Sequence, residues 1–511
     1  MNTTAGTAGT VTEGRRERMI LILACVAQFM VVLDVSVVNV ALPSIGRALH
    51  YTPVGLQWVV NAYILTFAGF LLLGGRAADL YGRRKVYLFG LALFTVSSLV
   101  GGLAQTSTWL TTARAVQGIG AAFLSPATLT ILVTSFSGLR LAKALGLWGA
   151  MGGAGGAAGV LLGGVLTAEL SWRWVLYINI PIGVVTAVGA LVYLTEARRP
   201  DSTARLDIWG SLTVTAGLAV LAYGIVNTDQ YPWGSARTLG TLAVAVVLLG
   251  AFLLLQLKVS ANPLMPLRLF RSRWVVGANV IMLMLGAAIF SMWYFLSLFL
   301  QDVLHYSALR AGLAFAPMAL AIIVGAQTAS RLLPRFGARR ILLVGTVMAT
   351  VGFVWLTQTS SSLGYWTDVF GGGLLVSLAL GMTFTPLASA GTTGVDRSEA
   401  GLASGMLNTS RQVGGSIGLA GLATVATSHT DHLEHAGVQV RTALASGYGR
   451  AFAVAAAAVA VAFVATWIVP SMARTRAAAS PGPVAAPAAG GPLDDGPLDD
   501  GPKAAGTLDP V

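Results

Sequence analysis

Charge is what this chain of 511 residues has least of: Asp, Glu, Lys and Arg together make up 10% of it, against about 25% in ordinary soluble domains. Hydrophobic residues reach 55% and the mean hydropathy is +0.75. So few ionisable side chains do not cover a water-facing surface of this size, which excludes a soluble enzyme and a disordered scaffold. The single cysteine, Cys25, rules out an intramolecular disulfide and with it a disulfide-stapled secreted domain. Lysine is nearly missing. None of Lys85, Lys143, Lys258 and Lys503 follows a glycine, so the chain has no P-loop lysine for ATP-driven pumping. The net charge of +12 would suit nucleic acid only if the basic residues clustered on one face. They are spread over many loops, and no nucleic-acid partner is expected.

What is present is a series of apolar runs. A bilayer-crossing helix takes about 20 such residues, and about fourteen runs qualify by that measure: 19–42, 55–75, 86–105, 108–134, 144–168, 174–195, 209–228, 238–257, 275–300, 309–333, 341–359, 367–390, 400–425 and 450–470. An even number puts both termini on one side of the membrane. With the N-terminus and alternate loops in the cytoplasm, the basic segments 15–18, 83–85, 198–205, 268–273, 331–340 and 474–476 all fall there. The opposite loops hold only Arg47, Arg173, Arg237, Arg310, Arg441 and Arg450. This bias predicts a multi-pass protein of the cytoplasmic membrane with cytoplasmic termini. The first run lacks a small-residue cleavage site and carries Asp34, so it is not read as a signal peptide.

Three pairs of segments repeat at nearly one offset. Leu124-Ser-Pro126 resembles Phe384-Thr-Pro386; Gly155-Gly-Ala-Ala-Gly159 resembles Gly414-Gly-Ser-Ile-Gly418; Gly82-Arg-Arg-Lys85 resembles Gly337-Ala-Arg-Arg340. They predict an all-α integral membrane protein of two six-helix bundles plus two extra transmembrane helices. The boundaries are a cytoplasmic segment 1–18, a first bundle 19–195, the extra pair with its linkers 196–274, and a second bundle 275–470. The stretch 471–511, which writes GPLDD twice, reads as a disordered cytoplasmic tail. Internal repeats of this kind serve transporters, which alternate access to a central site.

The loop after the second run reads Gly75-Arg-Ala-Ala-Asp79-Leu-Tyr-Gly82-Arg83-Arg84-Lys85. Arginines alone mark an ordinary cytoplasmic loop. The full spacing closely resembles the signature loop of the major facilitator superfamily. Leu33-Asp34 through Asn39 to Pro43, Arg114-Ala-Val-Gln117-Gly118, Trp172-Arg-Trp174 before Asn179-Ile-Pro181, and Pro263-Leu-Met-Pro before the ninth run agree with it. Together with the fourteen runs, these resemble that superfamily's fourteen-helix drug:proton antiporter branch, over about residues 15–472. The resemblance implies the major facilitator fold, no enzymatic activity and no cofactor, with protons as coupling ion and a monomer in the bilayer. It implies gating by Gly75, Asp79, Gly82, Arg83 and Arg84. The antiporter motif of the fifth run corresponds to Gly155, Gly159, Gly163 and Gly164, with Val160 where the family places proline. The proline kink is therefore missing, while the glycines still permit close helix packing.

Asp34 is the one acidic residue deep within a run. A carboxylate there costs several kcal/mol unless it meets a partner or a water-filled cavity. It lies roughly 24 Å along its helix from Arg18, and Arg114 roughly 9 Å from the outer end of an antiparallel run, so their depths match. Asp34 and Arg114 are the candidate proton-coupling residues, with a structural ion pair as the alternative; Arg114 also resembles the family's fourth-helix arginine. An ionised Asp34 would attract a cationic substrate. Trp58, Asn61, Tyr63, Gln117, Asn279, Met282, Trp293, Tyr294, Gln327, Asn408 and Gln412 are candidate substrate contacts, since aromatic and methionine walls with sparse polar groups suit amphipathic ligands. Packing and interfacial anchoring are the competing roles for each.

The five histidines, His50, His305, His429, His432 and His435, fall in loops or run ends, so no metal site is expected. The expectation is a proton-coupled exporter of lipophilic, cationic or zwitterionic drugs or antibiotics. Proton-coupled uptake of a small metabolite is the alternative mechanism, and a membrane-embedded enzyme or receptor is a more remote one.

Overall fold

In the computed structural model of the protein, residues 5–195, 206–229, 231–259, 264–265, 267–360, 364–395 and 400–470 are described. The expected tail 471–511 lies outside them. The described residues are helical with no strand. In hydrocarbon every backbone N–H and C=O must be satisfied within the protein, and a helix does this within one segment.

Thirteen long helices carry the fold: α1 (Ala5–Ala48), α2 (Trp58–Tyr81), α3 (Arg83–Gly102), α4 (Ser107–Ser135), α5 (Gly138–Glu169), α6 (Asn179–Tyr193), α7 (Ile208–Val226), α8 (Ala236–Leu254), α9 (Arg273–Leu298), α10 (Ala308–Leu356), α11 (Gly371–Thr392), α12 (Ala400–His435) and α13 (Val440–Ala465). Side chains in the loops start several of them. Thr106, Asp207, Ser235 and Ser307 each accept a hydrogen bond from the backbone N–H three residues on, satisfying one of the four orphan donors of a helix start.

Among the described residues twelve helices are long and apolar enough to cross a membrane. The expected fourteen runs differ from that number at two places. The runs 309–333 and 341–359 are two helical arms, labelled together as α10, that meet at the sharp turn of Gly337 (φ +74°, ψ 163°). The run 400–425 lies in α12, whose Gly, Ser, Thr, Asn and Gln content makes it the least apolar of the long helices by inspection of its sequence.

The repeat found in the sequence has a backbone counterpart. Gly82, between α2 and α3, has φ +100°, and Gly337 within α10 has φ +74°. Both lie in the region an L side chain rarely occupies, and both precede an arginine-rich helix start. Pro126 and Pro386 sit inside α4 and α11.

Helices pack within each half of the chain, and the halves also meet directly, α5 against α10 and α2 against α12. α1 lies against α5 and α4, α4 against α2 and α3, and α6 against α3 and α1; α9 lies against α12 and α13, and α10 against α11 and α13. The pair α7–α8 joins through α7, which rests on α2 and α12. There Leu65, Leu218, Ala222, Val226 and Ala420 bury one another, and Gly69 of α2 makes room for Thr215. Asp207 accepts from Gln256 at 2.6 Å, and Gln256 accepts from the Met265 amide at 3.0 Å, so one buried amide fastens both ends of the pair to the chain that follows.

Glycine allows the closest approaches. A Cβ at Gly155 would lie 2.6 Å from the Phe29 carbonyl oxygen, one at Gly159 2.7 Å from that of Leu33, and one at Gly163 2.9 Å from that of Val37. The repeat-related Gly414 and Gly418 meet Leu283 and Ala287 of α9 in the same way. Gly159→Val should therefore force α1 and α5 apart and cost about 1–3 kcal/mol. Gly250→Ala, in open space, should cost nothing measurable. Thermal unfolding of both purified variants beside the parent checks this, and equal midpoints would refute the packing account.

Candidate functional site

The site begins with two helices that bring opposite charges to one depth. Asp34 of α1 is 0% exposed and Arg114 of α4 is 2% exposed. The guanidinium Nη1 of Arg114 donates to Asp34 Oδ2 at 2.6 Å. A buried pair persists when the remaining hydrogen-bonding capacity of each ion is also used, and here most of it is. Gln117 Nε2, one turn along α4, and Asn179 Nδ2 of α6 each donate to Asp34 Oδ1 at 2.8 Å. Arg114 also donates to the Val59 carbonyl at 3.1 Å through Nε and to Gln117 Oε1 at 2.8 Å. Its cationic carbon lies 4.4 Å above the Tyr63 ring.

Three helices thus meet at one carboxylate, and α2 touches its guanidinium partner. Asn179 is itself anchored, donating to Ser98 Oγ of α3 at 3.0 Å while that hydroxyl donates to the Leu176 carbonyl at 2.8 Å. On the α2 side the network is incomplete: Tyr63 Oη, Asn61 Oδ1 and Gln57 Nε2 are buried without partners, although Asn61 donates to Gln57 Oε1 at 3.3 Å. Those unpaired atoms mark where the polar cluster has capacity left for water or a ligand.

A recess of about 320 Å³ is lined by His50, Tyr51, Trp58, Ser107 and Thr111 among others. The Tyr51 hydroxyl donates to the Ser107 carbonyl at 2.6 Å and meets Thr111 Oγ1 at 2.9 Å. Thr111 precedes Arg114 by less than one turn of α4, and none of Asp34, Arg114, Gln117 and Asn179 lines the recess.

The other candidates separate into distinct places. Gly75, 3.6 Å from Pro126 by its missing Cβ, and Gly82 flank the end of α2, and Arg83 opens α3. Arg84 donates to the Leu191 carbonyl of α6 at 2.8 Å. The Asp79 side chain lies outside the described residues. Gly164 faces Ala308 and Leu309 of α10, and Gly312 of α10 approaches the Val160 carbonyl in turn. The glycine-rich helix α5 therefore presents one small-residue face to α1 and another to α10.

Trp58 lines the recess and Gln117 belongs to the charge cluster, whereas the second-half candidates are dispersed. Asn279 accepts from the Ser410 hydroxyl at 2.7 Å. Met282 is buried in the main core, and Tyr294 stacks edge-on against Phe295 beside Tyr448 and Phe452. Trp293 packs 5.1 Å from Phe315. Gln327 is exposed, Asn408 accepts from Arg411 at 2.7 Å, and Gln412 is 2% exposed with an unpartnered Oε1.

Sequence reasoning missed two residues. Asn179 was visible only as part of a family motif, although a lone amide in an apolar run is itself a signal. Arg411 stands inside a run as Arg114 does, but nothing in the sequence said which of the two would find a carboxylate.

A helical bundle with two internally related halves, packed through glycines and with a buried charge cluster in the first, has the construction of a membrane transporter. The comparisons with known proteins agree. The sequence profile of the Major Facilitator Superfamily matches residues 24–419, and the chain belongs to that superfamily. It is 42% identical to the cephamycin export protein CmcT of Amycolatopsis lactamdurans, across 89% of this chain and 93% of that protein. It is 38% identical to the puromycin resistance protein pur8 of Streptomyces alboniger, across 78% and 80% respectively. Among solved structures it resembles a bacterial homologue of the human lysosomal transporter Spinster, in an inward-facing and unoccupied conformation, with a TM-score of 0.61 at 16% identity over 89% of this chain and 98% of that one. That last likeness concerns the fold alone. The protein is a multi-pass membrane transporter and not an enzyme.

The charge cluster makes a quantitative expectation. Arg114→Leu leaves Asp34 buried without its counter-charge and should destabilise the fold by about 3–5 kcal/mol. The double variant Asp34→Asn, Arg114→Leu should recover a large part of that loss. A double-mutant cycle on thermal stability checks it, and additive single effects would show that the pair is not energetically coupled.

Proposed function

We propose that the protein exports lipophilic drugs or antibiotics across the cytoplasmic membrane by alternating access, driven by protons returning through the Asp34–Arg114 cluster. The observation that carries this reading is the fully buried Asp34–Arg114 pair at 2.6 Å. Its energy depends on one proton: ionised Asp34 binds Arg114, Gln117 and Asn179 together, and protonated Asp34 gives up the charge that holds them. A group that switches between those states biases the packing of α1, α4 and α6, which is what a coupling site has to do. One proton moved through about 150 mV supplies roughly 3.5 kcal/mol, enough for a gradient of a few hundred-fold.

The two relatives described above are named for export of, and resistance to, antibiotics, which supports outward transport of a compound of that class. The substrate is an amphipathic small molecule, cationic or zwitterionic. Both termini are placed in the cytoplasm by the distribution of arginine, and the transporter acts as a monomer without cofactor or metal. The loop from Gly75 to Lys85 serves as the gate. Gly82 supplies its backbone turn, Arg84 ties α3 to α6, and Asp79 with Arg83 favours one access state.

In inverted membrane vesicles with an imposed pH gradient, the parent protein should drive an exported drug into the lumen. At equal expression, Asp34→Asn should abolish the gradient-driven part while leaving passive exchange. Transport by Asp34→Asn equal to the parent would sink the coupling role. Movement of substrate in the opposite direction would establish uptake instead.

A further inference from the structure

Arg114 and Arg411 are the two arginines deep in apolar runs, and the structure treats them differently. Arg114 has Asp34. Arg411, in α12, has no carboxylate among the described residues: Nη2 donates to Asn408 Oδ1 at 2.7 Å, and the guanidinium lies 5.9 Å from the Phe384 ring of α11. Its Nε is enclosed and unpartnered, while the side chain as a whole remains partly accessible. Arg411 stands eleven residues into α12, roughly 17 Å from its start, near the middle of a bilayer and far from headgroup depth. An arginine at such a depth is costly and rarely lacks a partner.

We infer that Arg411 is the anchor for an anionic group, a carboxylate, on the transported compound. A carboxylate matches the planar fork of a guanidinium and takes two parallel hydrogen bonds from it. Asn408 holds the fork from one side through its side-chain oxygen. Gln412, one residue on, is buried with its Oε1 unpaired, and Ser416 one turn further is buried with its hydroxyl unpaired. Arg411, Asn408, Gln412 and Ser416 follow one another around α12 at helical spacing, so charged and neutral polar groups form one continuous strip. Arg411 stands at the edge of the glycine face of the same helix: Gly414 and Gly418 close on α9, and Gly286 of α9 approaches the Arg411 carbonyl.

The inference rests on the export reading and narrows its substrate. Asp34, in the state described, is already engaged by three donors. A zwitterion with a lipophilic body therefore fits better than a simple cation, with its carboxylate at Arg411.

The test uses two dyes that share one xanthene ring: the rhodamine with a free benzoate, which is a zwitterion, and its methyl ester, which is a cation. Binding to the full-length protein is read by fluorescence anisotropy in phosphatidylcholine nanodiscs. The parent should bind the free acid at least about tenfold more tightly than the ester, since a charge-assisted hydrogen bond contributes that much. Arg411→Gln should remove the preference and leave ester binding unchanged, which also shows that the variant is folded. Arg411→Lys should keep an intermediate preference, because it retains the charge and loses the fork. Equal binding of the two dyes by the parent, or an unchanged ratio in Arg411→Gln, overturns the proposal. Free-acid binding that added phosphatidylglycerol competes away assigns the guanidinium to a lipid phosphate and overturns it as well. The Asp34→Asn vesicle assay is scored separately, so a failed carboxylate preference with intact gradient-driven efflux removes this inference alone.

Discussion

A charge held inside an apolar helical bundle has to be neutralised, hydrogen-bonded or reached by water, and this requirement organises the first half of the molecule. Asp34 is fully buried, and the helices around it are those that carry its donors: α4 with Arg114 and Gln117, and α6 with Asn179. Ser98 of α3 and the Val59 carbonyl of α2 complete the ring. One carboxylate therefore registers α1, α4 and α6 directly, and α2 and α3 through Arg114 and Asn179. An apolar core of the same volume would leave helix rotation and sliding only weakly specified, because apolar side chains inside a protein and lipid tails outside it are nearly equivalent surroundings.

Glycine supplies the complementary constraint, which is proximity without attachment. The three glycine contacts of α5 on α1, and the two of α12 on α9, bring backbones together where no side chain intervenes. Such contacts are held by dispersion over a large smooth surface and contain no hydrogen bond that must break when one helix shifts. Val160 belongs to this account. Where a proline would remove a backbone donor and bend the helix, Val160 keeps α5 regular and offers its carbonyl to Gly312 of α10. α5 is thus a small-residue spacer between α1 and α10, and the missing kink is compatible with close packing on both sides.

Much of this was legible in the sequence, and the physical reason is the solvent. Lipid demands long helices, so apolar runs announce them. It penalises charge, so Asp34 and Arg114 stand out and their matched depths foretell the pair. The repeat was legible because Gly82 and Gly337 must both adopt positive φ, a constraint that only residue identity satisfies cheaply. Partnership was not legible. Asn61, Gln117, Asn279, Asn408 and Gln412 look alike in a sequence, and only Gln117 proves to touch Asp34. Rotation about each helix axis decides this, and a difference of one residue turns a side chain by about 100°. The turn between the runs 309–333 and 341–359 was legible as well: proline, glycine and arginines mark the segment 334–340, and Gly337 is the non-helical residue at which two helical arms meet.

The helix that carries Asp34 also carries one of the ties between the two halves. Ser297 of α9 donates to the Asn39 carbonyl at 2.7 Å, Gln301 donates to the Val40 carbonyl at 2.9 Å, and Arg47 lies 3.7 Å from Asp302. Asn39 is five residues beyond Asp34, roughly 8 Å along the axis. A rotation of α1 that accompanies loss of the Asp34–Arg114 attraction must therefore displace those two carbonyls as well. Donors as short as serine and glutamine do not follow a displaced acceptor far, since a hydrogen bond weakens steeply beyond its usual length and angle. The second half meets the first here through backbone carbonyls of α1 and an exposed ion pair worth at most about 1 kcal/mol, so this junction is weaker than the cluster beside it. On the proposed mechanism that ordering is the useful one. The contacts that depend on the Asp34 proton lie within the first half, and the junction of α1 with α9 beside them is the weaker one; elsewhere the halves meet through α5 on α10 and α2 on α12.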